Sequence, residues 1–113
     1  MVFQARIEIA RQRGILLIDD LISLPYCMEE SMGYEQAKDR IMKLLADLKP
    51  GVTQWTVHPS WHTLELETLT SCAREREIEY RLLLDEDISS LLKSEGIRRV
   101  SWKDIRDAQR KFL

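Results

Sequence analysis

Three times along these 113 residues, a helical apolar pattern runs into a glycine and then into a short apolar stretch. A helix buries one stripe and a strand one or both faces, so this alternation dictates which surfaces must meet. In the first unit, Val2 to Ile18, Phe3, Ile7 and Ala10 share a helix face. Gly14 stands where a left-handed C-terminal cap is wanted, and Ile15 to Ile18 predicts a buried strand. In the second, Tyr34 to Val57, the stripe is Ala37, Ile41, Leu44, Leu45 and Leu48. Pro50-Gly51 ends that helix, and Val52 to Val57 is rich in β-branched and aromatic residues, predicting a strand.

The third unit is longer. Cys72 to Leu84 is highly charged but can turn Ile78, Leu82 and Leu83 inward. Asp85 or Asp87 can cap a short helix carrying Ile88, Leu91 and Leu92. Gly96 ends it, and Ile97 to Val100 predicts a third strand. Ser101 to Asp104 then has the spacing of a capping box for a last helix.

Strands separated by helices pair in parallel through right-handed crossovers. The expected fold class is therefore α/β: one domain over residues 1–113, a partial (βα) barrel-like unit of about three parallel strands with flanking helices. So small a parallel sheet needs cover and leaves two open edges. Completion by more chain, or by a second copy in a homo-oligomer, is expected. The two long connections, Ser23 to Gly33 and His58 to Ser71, both follow predicted strands, where parallel α/β proteins place their chemistry.

Net charge -2 and a pI near 5.7 do not suit a phosphate-neutralising surface, so nucleic acid is not an expected partner. The longest apolar run is four residues, Ile15 to Ile18, far short of the roughly 20 a membrane helix needs. Arg6, Glu8, Arg11 and Arg13 interrupt any signal-peptide core. Cys27 and Cys72 lack CxxC spacing and are expected as reduced thiols in a cytoplasmic protein.

His58 is the leading candidate for chemistry. It lies just past a strand, Pro59 directs the chain after it, and its imidazole can exchange protons near neutrality. The plainer alternative is a histidine bonded only to its own loop. His62 follows at i+4, but Pro59 opposes the helix that would make the two a metal pair. Asp19-Asp20, after the first predicted strand, suits a divalent cation or a simple solvated turn, the turn being favoured. Trp61 can offer an aromatic wall to a sugar ring, whereas Trp55 and Trp102 read as packing. The run Arg74 to Arg81 reads as a solvated helix face with a Glu77–Arg81 pair. Arg74 is misplaced for the helix dipole in a first turn, which points it toward a site.

From Pro50 to Arg106 these pieces resemble the ChbG/HpnK (YdjC-like) carbohydrate deacetylases. Gly51 to Ser60, GVTQWTVHPS, resembles that family's GVTE-x-x-x-HP strand. Ala73 to Glu77 with Glu79-Tyr80 resembles its R-x-x-E helix. Leu91 to Ile97 and Val100 to Arg106 resemble its ending, LL-x-x-x-GI followed by a serine, an aromatic residue and an acid. The resemblance implies an incomplete (βα) barrel related to the TIM barrel, whose enzymes remove N-acetyl groups from amino sugars with a divalent metal, magnesium or zinc. It places the proton-handling role on His58 and implies an N-acetylated oligosaccharide as substrate, for which Trp61 and Arg74, singled out above by position, are the candidate contacts. The metal is held in that family by an aspartate and two histidines; His58 and His62 are the only histidines here, so no metal residue and no cofactor is assigned to this chain. On this resemblance the chain reads as the last βα units of a longer deacetylase, inactive alone. The alternative is a non-catalytic, self-associating α/β module.

Overall fold

The structure, a computed structural model, describes residues 2–25, 27 and 32–111. Among the described residues it holds six helices and two short strands, in the order α1 (Val2–Gln12), β1 (Asp20–Ile22), α2 (Tyr34–Ala46), β2 (Thr53–Trp55), α3 (Leu64–Leu69), α4 (Ala73–Leu83), α5 (Glu86–Ser94) and α6 (Trp102–Arg110). β1 and β2 pair in parallel, with Asp20 opposite Thr53 and Ile22 opposite Trp55.

The expected three-stranded barrel-like unit is therefore corrected to a mostly helical fold around a two-stranded parallel sheet. Two predicted strands account for the difference. Gly14, at φ +71°, closes α1 as its sequence implies, and Ile15 N–H returns to Ala10 O at 2.8 Å. Leu16 N–H then bonds the Gln109 side chain of α6 at 2.9 Å, so Ile15 to Leu17 joins no ladder and remains exposed. Strand pairing starts later, where Asp19 and Asp20 N–H both reach Val52 O. After Gly96, at φ +67°, Ile97 N–H is spent on Leu92 O at 2.8 Å as part of the α5 cap. Ile97 to Val100 is left without a strand partner. β-propensity expresses itself only where a neighbouring strand accepts the ladder.

The helical periods are better realised. Ala37, Ile41 and Leu45 line the buried face of α2 and meet Ile78 and Leu82 of α4 and Ile88 and Leu92 of α5. Ile22 and Leu24 close this core from the β1 side. Asp85 caps α5, its side chain accepting from Asp87 N–H, and Ser101 with Asp104 forms the capping box of α6. On α1 only Ala10 of the predicted stripe is buried; Phe3 and Ile7 face outward. Leu83 is also exposed. The connection after β2 contains a helix, α3, started by Thr63 Oγ1 accepting from Leu66 N–H at 3.1 Å.

An apolar cleft of about 780 Å³ lies along β2, between Val52 to Trp55 and the segment Ile97 to Val100.

Candidate functional site

Because β1 and β2 are parallel, the connections that follow them leave from one edge of the sheet. Beyond Trp55 the chain runs against α4, where Ser60 N–H donates to Arg76 O at 3.1 Å. His58 sits within this docked segment. Its backbone N–H donates to the Glu79 carboxylate, and its ring Nδ1 lies 3.9 Å from Glu79 Oε1. That separation is an ion-pair contact rather than a ring hydrogen bond.

Glu79 is buried, 4% exposed. Burial pushes its pKa up, opposed by the His58 N–H and by the charges of His58 and Arg76. The His58 side chain is itself partly exposed. A solvent-reaching imidazole set against a buried carboxylate puts a group able to exchange protons near neutrality at the surface of this segment.

The other expected residues fall around the same helix. Trp61 is 60% exposed and meets Tyr80 edge to face, with ring centroids 5.5 Å apart. Arg74 ties the segment after β1 to α4: its Nη1 donates to Met32 O at 2.8 Å and its Nη2 meets Glu75 Oε1 at 3.1 Å. Part of the Ser23 to Gly33 connection, residues 26 and 28–31, lies outside the described residues. His62 is engaged on both nitrogens, Nε2 with Glu67 at 2.7 Å and Nδ1 with Glu77 at 3.3 Å.

The run Arg74 to Arg81 is not simply a solvated face. Glu75 and Glu79, four apart, are both buried on α4. The signal lay in the period: positions 75 and 79 share the face of Ile78 and Leu82. Glu77 and Arg81 are not each other's partners, since Glu77 meets His62 and Arg81 stacks over the Tyr34 ring at 4.3 Å.

Asp19 and Asp20 stand at the opposite, N-terminal edge of the sheet. Asp19 Oδ2 accepts from Val52 N–H at 2.7 Å, and Asp20 Oδ1 accepts from Leu21 N–H at 2.8 Å. They begin the strand instead of following it, and they do not join His58. The expected pair of reduced thiols is also revised: Cys27 and Cys72 form a disulfide across 45 residues. A contact so distant in sequence leaves no spacing signature.

No family model, curated protein or solved structure matches this chain. No helix among the described residues is long and apolar enough to cross a membrane.

Proposed function

We propose that this chain forms the C-terminal part of a deacetylase acting on N-acetylated amino sugars, with His58 as its proton-handling residue. The observation that carries the proposal is His58 held against buried Glu79 at the strand-exit edge of the sheet. The resemblance of Pro50 to Arg106 to the YdjC-like deacetylases supports it. Trp61, exposed and braced by Tyr80, offers an indole face to the C–H face of a sugar. Arg74 acts at one remove, by fixing the connection after β1 through Met32 O.

The residues present do not fit the divalent ion such deacetylases use. Asp19 and Asp20 lie at the wrong edge with oxygens taken by backbone N–H groups, and His62 is taken by two glutamates. The ion and its ligands would come from outside this chain, so the chain alone is inactive. What it supplies is the proton step: His58 passes a proton to the amine leaving the amide and regains one from solvent. A cytoplasmic setting goes with this role, and its reducing milieu would open the Cys27–Cys72 bond.

Titration with di-N-acetylchitobiose, followed through the histidine ring resonances, tests this. His58 should shift and His62 should not, and no acetate should be released with magnesium or zinc added. An unmoved His58 at saturating sugar, or acetate release that tracks the protein, overturns the proposal.

A second reading is a self-associating module. Both strands of the pair are edge strands, Leu21 and Ile15 to Leu17 are exposed, and an apolar cleft runs along β2. A second copy would cover this surface. Light scattering over a hundredfold range of protein concentration (about 1 to 100 μM, the range in which weak dimers form) decides it. A monomeric mass throughout rules it out.

A further inference from the structure

We propose that Cys27, Cys72 and Glu75 form a redox-gated site for a thiophilic divalent cation of the zinc class. It does not rest on the deacetylase reading. The two sulfurs and a Glu75 carboxylate oxygen lie within 4.8 Å of one another, the one such group of three potential ligands among the described residues. Two parts of the fold converge there. Cys72 is the N-cap of α4 and Glu75 lies on its first turn, whereas Cys27 arrives on the connection after β1.

A second observation points to a ligand. Glu75 is 7% exposed, and its Oε2 is fully buried with no hydrogen-bond partner. Its other oxygen, Oε1, is held by Arg74. A buried carboxylate oxygen left bare is costly, and a cation beside the sulfurs would satisfy it. The N-terminal end of α4 favours thiolate over thiol at Cys72. Two thiolates and one carboxylate around a divalent cation leave one net negative charge, which the Arg74 guanidinium balances. Thiolate ligands select zinc-like ions over magnesium or calcium, and water can fill the fourth tetrahedral position.

The sulfurs cannot be bonded to each other and serve as thiolate ligands together, so the two states exclude one another. A cellular dithiol reductant opens the bond by exchange. Its first thiolate forms a mixed disulfide with one cysteine and releases the other; its second thiolate closes the reductant's own disulfide and frees the first. Two electrons reach the cysteine sulfurs, and the cation then displaces the two thiol protons to solvent. In either state the connection carrying Cys27 stays fastened to α4, by a disulfide or by a shared ion.

The test titrates the chain with zinc against a chromophoric chelator, with cobalt as spectroscopic probe, after phosphine reduction and with the disulfide intact. One ion should bind per reduced chain, with a sulfur-to-cobalt charge-transfer band. The oxidised chain should show no such band and at least about tenfold weaker binding. Cys27→Ser, at an exposed position, and Glu75→Gln should each lose about tenfold or more, while His62→Ala should not. If Glu75→Gln fails to fold, Cys27→Ser decides. Equal binding by reduced and oxidised chains, full affinity in Cys27→Ser, or loss in His62→Ala overturns the site.

Discussion

The Asp19 carboxylate fills the space that a side chain at Gly51 would need. Its Oδ2 lies 2.5 Å from where a Cβ on Gly51 would sit, and Gly51 has φ +132°, a conformation that L side chains rarely adopt. The same oxygen accepts from Val52 N–H, so Asp19 and Gly51 together set the register of β1 on β2. Gly51→Ala should therefore cost about 1–3 kcal/mol, through backbone strain and the clash. Asp19→Ala should cost less, about 0.5–1.5 kcal/mol, for one hydrogen bond. Urea unfolding of both variants measures this as a lower midpoint at unchanged slope. Neither change should move the His58 ring resonance, because Asp19 stands at the other edge of the sheet; a shifted resonance would return Asp19 to the site.

The same pair shows where the sequence was legible and where it was not. Helix ends were readable because caps are local: Gly14, Ser101 with Asp104, and Asp85 announce themselves within a few residues. The α2 stripe was readable because its period is written in consecutive turns. Strands were not, since a strand is defined by a partner dozens of residues away. Ile15 to Ile18 and Ile97 to Val100 have strand composition, yet their flanking glycines commit the next N–H to a helix cap. His58 was visible from its place after a strand, which survives although the strand is shorter than expected. Glu79 and Cys27–Cys72 were hidden in contacts 21 and 45 residues apart (58 to 79 and 27 to 72).

Glu79 should impose a definite pH dependence on stability. Burial raises its pKa in the folded chain above the ordinary 4.5. A raised folded pKa means the native state holds this proton more tightly than the unfolded chain does. The associated stability is present below pH 4.5 and is lost as pH rises through the folded value. Glu79→Gln should remove that decline, so the wild-type and variant stability curves should diverge as pH rises from 4.5. Parallel curves from chemical denaturation across that window would show that Glu79 titrates normally.

Ile41 anchors the helical core. It is wholly buried at the centre of the α2 stripe, packed in the cluster that joins α2 to α4 and α5. Ile41→Ala should cost about 2–5 kcal/mol, the loss of buried methyl groups plus the cavity they leave. Phe3→Ala, on the exposed face of α1, should cost within about 0.5 kcal/mol. Thermal unfolding of the two variants separates a core at α2 from one at α1. Near-equal losses would place α1 in the core after all.

Tyr34 and Asp85 link the starts of α2 and α5. The Tyr34 hydroxyl donates to Asp85 Oδ2, and Lys38 reaches Asp85 at 3.1 Å and Asp87 at 2.6 Å. Burial, then the hydrogen bond to Asp85, pushes the Tyr34 phenol up to about 12, and that bond in turn holds the Asp85 carboxyl below its usual value. The two ends of the pH scale then behave oppositely. Stability from Asp85 is present above the ordinary 3.8 and is lost as pH falls through its depressed folded value. Stability from Tyr34 is present below 10.0 and is lost as pH rises through about 12. Asp85→Asn keeps a residue able to cap α5 but should flatten the acid limb. Tyr34→Phe should abolish the last component of an alkaline phenolate titration followed by ultraviolet absorbance. A late component that survives in Tyr34→Phe would mean that the phenol does not bond Asp85 in solution.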